Sequence, residues 1–412
     1  MGLLLNITLL LLIVWFFRSG LKNPQDQNLW IGYIILKIIA ACGFIWIYGY
    51  HYSAGDMINY LHDAEAYRTL GFYDFIINLI NPNGPTAIID ELTYDFDRRA
   101  MLMAKFTAAS YYLSGNAWLT AMNFSIIGGL ITFRFFLTLK DRFRELFLPG
   151  IIALLLFPSL LFWTSGICKE AISFPAMLLV FIPLLKLDSK ELSNSWLDWI
   201  LALIGAVVLW YLKYYVAAIV LPACLLYAVS TYLDWYPYRK LVIGLLTFIG
   251  LLLLVSQLHP NLYLHRTMQV MVDNYELTIS QTEPGKTAYY EGLSANLPSF
   301  LYHFPEAVFT GLFMPLIGQH WDLPSLLVVI QNSALLLSLL ILMIALIIKR
   351  IWLNIPVSTW SALFIIVLLA GLIAITTPNF GTLDRYRVAY QPFLVLIVVA
   401  GLQEYLLPRK ID

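Results

Sequence analysis

Runs of roughly 15–25 apolar residues recur along this chain, each long enough to cross about 30 Å of hydrocarbon as a helix. This limits the fold before any motif is weighed, because a segment in lipid must satisfy its own backbone N–H and C=O groups. The runs fall at about 3–17, 29–50, 116–138, 147–164, 170–186, 197–212, 214–233, 241–257, 325–348, 357–376 and 388–406. Composition agrees. Hydrophobic residues make up 60% of the chain, charged residues 12%, and mean hydropathy is +0.77, whereas a soluble domain carries about a quarter charged residues. The expectation is an all-α, polytopic membrane helix bundle of about eleven transmembrane helices, a single transmembrane domain over 1–412. Net charge is zero, without a basic arm or zinc-type spacing, which argues against nucleic acid as a partner and leaves membrane lipids.

The placement of the charges orients the helices. Alternate connections at 18–28, 139–146, 186–196, 234–240, 349–356 and 407–412 hold Arg18, Lys22, Lys140, Arg142, Arg144, Lys186, Lys190, Arg239, Lys240, Lys349, Arg350, Arg409 and Lys410. These are thirteen of the 25 Lys and Arg, so the positive-inside rule predicts that these connections, and the C-terminus, are cytoplasmic. Met1–Phe17 lacks a basic n-region and an Ala-x-Ala site, so it reads as a retained first helix with its N-terminus outside. Cys42, Cys168 and Cys224 lie in or beside apolar runs and read as small buried hydrophobes.

The opposite face then carries an acidic loop at 51–99, a second long region at 258–324 and a short charged segment at 377–387. In the first loop, Met57, Tyr60, Leu61, Ala64 and Tyr67 recur at helical spacing. Phe72–Ile80 continues as an aromatic-rich amphipathic piece, the kind that lies in the membrane interface, until Asn81-Pro82-Asn83-Gly84-Pro85 breaks it. Met101–Leu113 reads as either interfacial or a short buried helix.

Three constellations could carry chemistry, because ionisable groups at a membrane edge are functional candidates by default. Asp56 and Asp63 share a helical face about 10 Å apart. Asp56 suits a general base taking a proton from a hydroxyl, or, with Gly55, an N-cap. Lys169 and Glu170 are adjacent charges between two apolar runs, either an internal ion pair or part of a site. Arg385 and Arg387 break the positive-inside bias; they match phosphate geometry or pair with the acidic loop. Lys213, between two aromatic pairs, could assist with phosphate. His259, His265, Arg266, His303 and His320 do not have metal-site spacing and read as surface residues. The aromatic residues suit interfacial belts and sugar stacking equally.

Together these residues resemble the GT-C superfamily of integral-membrane glycosyltransferases. The similarity lies in Gly55-Asp56 opening the first long loop, with Tyr60 and Asp63-Ala64 on an amphipathic helix, and in Pro158 and Trp163 leading to Glu170. Arg385, Arg387 and Pro392 are also similar to bacterial envelope-polysaccharide proteins. The resemblance implies inverting transfer from a polyprenyl-phosphate-linked sugar donor to a glycan or lipid acceptor, at the outer face of a bacterial cytoplasmic membrane. It places catalysis on Asp56, with Asp63 and Glu170 as further candidates, and substrate binding on Lys169, Lys213, Arg385, Arg387 and Tyr60. Some relatives use a divalent metal ion, which the acids of 51–99 could hold. The chain departs from the family by placing two spans before its acidic loop and by lacking an Asp-Glu pair at 55–57. Two other readings therefore stay open: an O-antigen-polymerase-like enzyme joining polyprenyl-pyrophosphate-linked units, and a lipid-linked oligosaccharide transporter.

Overall fold

The computed structural model describes residues 2–52, 55–81, 88–94, 97–187, 189, 193, 195–233, 236–258, 263–318, 325–349 and 355–406. The break at Pro82–Pro85 lies outside the described residues, as do Asp95, Lys190, His259, His320, Arg350, Arg409 and Lys410. In chain order, α1 (Gly2–Gly20), α2 (Pro24–Trp46), α3 (Asp56–Arg68), α4 (Phe72–Ile80), α5 (Arg98–Ser114) and α6 (Ala117–Arg142) come first. Then follow α7 (Phe147–Gly150), α8 (Pro158–Trp163), α9 (Glu170–Lys186), α10 (Trp196–Leu212), α11 (Tyr214–Thr231) and α12 (Pro237–Leu258). The last are α13 (Leu264–Gln281), α14 (Leu297–Phe313), α15 (Leu326–Lys349), α16 (Val357–Thr376), α17 (Phe380–Arg387) and α18 (Gln391–Leu406). Among the described residues there is no strand, apart from one isolated bridge between Thr287 and Asn379.

Among the described residues, six helices are long and apolar enough to cross a membrane: Gly2–Gly20, Pro24–His51, Ala117–Arg142, Tyr214–Thr231, Leu326–Lys349 and Ser358–Thr376. The pair α17 and α18, bent by 66°, would make a seventh. The chain is an all-α membrane protein. Three of the expected runs fall short of a span for physical reasons. The run at 147–164 breaks into α7, a π-helical turn at Ile151–Leu155 and α8, where Pro158 has no N–H to continue the ladder. Helices α9 and α10 have 17 residues each, a rise of about 25 Å that falls short of the hydrocarbon core.

The chain forms two compact units. The first comprises Met1–Thr138, Leu160–Pro183 and Asn194–Ala217. Within it Trp30 packs 4.6 Å from the Phe17 ring and 5.2 Å from the Phe133 ring, joining α1, α2 and α6. Helix backbones approach closely where glycine allows it, as is common without a hydrophobic drive between helices. A Cβ on Gly128 would stand 3.1 Å from the Ala171 carbonyl oxygen, and one on Gly205 only 2.4 Å from that of Ala176. Helices α3, α4 and α5 make a smaller cluster around Ala64, Tyr67, Phe75, Ala108 and Tyr111. The Tyr111 hydroxyl donates to Glu65 at 2.9 Å, and Lys105 donates to the Asn81 carbonyl at the end of α4. The face of α5 bearing Met101, Ala104 and Lys105 is buried, so this helix follows the buried alternative. Helix α4 exposes Phe72, Tyr73 and Ile80 and buries Phe75.

The second unit comprises Leu139–Ser159, Leu184–Ser193 and Ala218–Asp412. Helices α14 and α16 meet where a Cβ on Gly311 would lie 2.3 Å from the Ala370 carbonyl oxygen. The segment before α17 is fixed by backbone hydrogen bonds, Phe380 N–H to Lys286 O and Ala288 N–H to Pro378 O, each 3.0 Å.

Candidate functional site

The first unit gathers most of the residues that the sequence singles out. Gly55 precedes α3 with φ of 110°, a conformation glycine enters with little strain. Asp56 is consequently the first helical residue and not the cap, and its carboxylate lies in the turn where the helix dipole favours an anion. The Tyr94 hydroxyl donates to Asp56 Oδ1 at 3.1 Å and accepts from Asn59 Nδ2 at 3.3 Å. Burial first, and then the carboxylates of Asp56 and Asp63, push the Tyr94 hydroxyl up to about 12, although the Asn59 bond pulls the other way. It stays protonated, and a donor, at neutral pH.

Asp63 has a different task. It is fully buried, its Oδ1 accepts the Thr93 N–H at 2.7 Å and its Oδ2 the Tyr94 N–H at 3.3 Å. The second loop acid thus clamps the 93–94 backbone to α3, and that backbone presents Tyr94 to Asp56. Tyr60 is buried with its ring 5.1 Å from that of Tyr94, which makes it a support of the same turn.

Asp97 lies three residues beyond Tyr94, a reach of at most about 11 Å. It accepts the Arg99 N–H at 2.9 Å and so caps α5. Lys169 Nζ stands 4.0 Å from Asp97 Oδ2, and Arg99 Nε stands 3.4 Å from Oδ1. Burial alone would raise the Asp97 carboxyl, but Lys169, then the N–H and guanidinium of Arg99, outweigh it and hold it below the usual range. Arg99 sits 5.4 Å over the Tyr214 ring.

Glu170 reaches beyond its neighbour in the chain. It meets Lys213 at 2.5 Å, with the two side chains 1% and 4% exposed. Removing one partner from such a pair strands a buried charge, at about 3–5 kcal/mol. The Lys169–Asp97 contact, with side chains 18% and 41% exposed, contributes about 0–1 kcal/mol. One pair is a fixture. The other is loose.

The first unit also holds a residue that the sequence did not single out. Lys37 is fully buried near the middle of Pro24–His51, and its Nζ donates to Thr164 O at 2.6 Å and Thr164 Oγ1 at 2.9 Å. Ser125 Oγ donates in turn to the Lys37 carbonyl at 2.8 Å. Lys37 thereby holds the non-helical stretch that leads to Lys169, and irregular backbone at membrane depth needs such support. Gly166 in that stretch lies so close to Phe44 that a Cβ would fall 2.3 Å from the ring. The signal was a lone lysine inside an apolar run.

Arg385 and Arg387 belong to the second unit. Arg387 is fully buried; it donates to Gly311 O at 2.8 Å, to Thr310 O at 3.0 Å and to Met314 O, gathering the carbonyls at the end of α14. Tyr390 and Gln391 add bonds to Gly311 O at 2.7 Å and Leu312 O at 3.3 Å. Arg385 is half-buried, 5.2 Å over the Tyr386 ring. Ser159 Oγ donates to Asp384 at 3.1 Å. His303 is buried on α14, 5.9 Å from the Tyr290 ring, and so is not the surface residue expected; His265 is exposed.

Among the described residues no group of three or more His, Cys, Asp or Glu could hold a metal ion. Both Asp63 oxygens already accept backbone N–H groups. The class defined by fold and site is an all-α membrane protein with a mixed-charge polar cluster in its first unit. Comparison with family models, with curated proteins and with solved structures finds no match to this chain.

Proposed function

We propose that this protein is a membrane glycosyltransferase moving a sugar from a polyprenyl-phosphate-linked donor to an envelope glycan or lipid acceptor. In this reading it works at the outer face of a bacterial cytoplasmic membrane, and the shorter apolar helices complete a bundle of about eleven membrane segments. The observation that carries it is that one compact unit holds both a part-exposed, tyrosine-held carboxylate, Asp56, and a part-exposed cation, Lys169, with Tyr94 against the first and Asp97, three residues further along the chain, against the second.

The Asp56 carboxylate accepts the proton of the acceptor hydroxyl as that oxygen attacks the anomeric carbon. The bond from that carbon to the donor phosphate breaks, the phosphate leaves with the electron pair, and Lys169 stabilises the growing charge. Asp63 and Tyr60 hold the turn, while Glu170 and Lys213 brace the helix ends that present Lys169. The arginine-centred polymerase alternative is weakened by the bonds of Arg387 to α14, which leave Arg385 as its phosphate ligand.

The test is turnover by the purified full chain in nanodiscs, given a panel of polyprenyl-phosphate hexoses and an envelope glycan extract, with polyprenyl phosphate release followed by mass spectrometry. Acceptor-dependent release is expected. Release that needs a pyrophosphate-linked oligosaccharide instead would turn the assignment to a polymerase.

A further inference from the structure

We infer that Lys169 and Arg99 form a phosphate-ester subsite that the chain's own Asp97 carboxylate occupies in the unliganded protein. The identity of the ligand, a lipid-linked phosphate, rests on the transferase reading; the subsite itself rests on geometry. Two cations from different elements converge on one carboxylate, Arg99 Nε 3.4 Å from Oδ1 and Lys169 Nζ 4.0 Å from Oδ2. Both distances exceed the roughly 2.7–2.9 Å of a charge-assisted hydrogen bond. The carboxylate is therefore an imperfect occupant, fixed by its other duty as the α5 cap.

All three side chains are open to solvent, Arg99 at 45%, Asp97 at 41% and Lys169 at 18%. The neighbouring Glu170–Lys213 pair is closed and short. An incoming anion can therefore replace Asp97 but not Glu170. A phosphate ester brings more negative charge and more acceptor oxygens than a carboxylate and suits the planar fork of an arginine. Stacking on Tyr214 holds the Arg99 guanidinium without consuming an N–H donor.

Asp97→Asn separates the two duties of this residue. The amide oxygen still caps α5, while the competing charge is gone. The measurement is binding of farnesyl phosphate, and separately of inorganic phosphate, to the full chain in detergent, after thermal unfolding has shown each variant to be folded. Asp97→Asn should bind farnesyl phosphate about three- to tenfold tighter than wild type. Lys169→Gln and Arg99→Gln should bind it weaker by a similar factor. Inorganic phosphate should follow the same order at lower affinity; equal affinity for both probes would keep the subsite and make its ligand a free phosphate. The inference is overturned if Asp97→Asn gains no affinity, or, should that variant not fold, if Lys169→Gln binds like wild type. Binding needs no turnover. Ordered binding without sugar transfer removes the transferase reading alone, and transfer with unchanged Asp97→Asn affinity removes the subsite alone.

Discussion

Two charged segments in this molecule look alike in sequence: 164–170 in the first unit and 380–391 in the second. Each sets cations among apolar helices, and each begins as a phosphate-binding candidate. Their fates differ. Arg387 is buried against the carbonyls ending α14, whereas Lys169 stays part-exposed beside a loosely held carboxylate. A cation at an apolar helix end signals either a helix stop or a site. What separates them here is burial, complete for Arg387 and partial for Lys169.

The difference can be broken experimentally, beginning with the largest effect. Glu170→Gln strands the Lys213 ammonium in a buried place and should destabilise the protein by about 3–5 kcal/mol. Thermal unfolding in detergent checks this, and the Glu170→Gln, Lys213→Met double variant should recover much of the loss. If the single variant melts like wild type, the pair is not a fixture and the contrast with Asp97 weakens. Next, Arg387→Gln leaves carbonyls of α14 unsatisfied and should lower stability by about 2–4 kcal/mol. Arg387→Lys should rescue only part, because an ammonium lacks the planar fork. Unchanged unfolding with lost phosphate binding would instead restore Arg387 as a ligand. Smallest, Asp63→Asn weakens two backbone contacts and should cost about 1–3 kcal/mol, with 93–94 exchanging its amide hydrogens faster.

Much of the architecture was legible because apolar run length is a physical requirement of the bilayer, and all six span-length helices fall on expected runs. Not every apolar run becomes a span-length helix, since run length does not reveal how Pro158 interrupts a ladder. For the site, Asp56, Lys169, Glu170 and Lys213 stood out as charges in apolar surroundings, and all belong to the first unit. Their partners were not legible. Glu170 reaches over forty residues to Lys213, a contact made by the packing of α9 against α10. Asp97 was one acid among many in its loop, and Tyr94 one of 25 tyrosines. The capping role expected of Asp56 passed to Gly55 through its positive φ, which no local composition specifies.

Asp56 and Asp63 divide the labour of the first loop between proton acceptance and backbone support, and Asp56→Asn probes that division. The substitution keeps size and hydrogen bonding to Tyr94 but removes the proton acceptor. Glycosyl transfer by the purified variant should fall by roughly 10²–10⁴-fold with an unfolding temperature close to wild type, while the control Asp74→Asn, at an exposed position of α4, keeps full activity. An Asp56→Asn protein that transfers sugar at the wild-type rate would contradict the account.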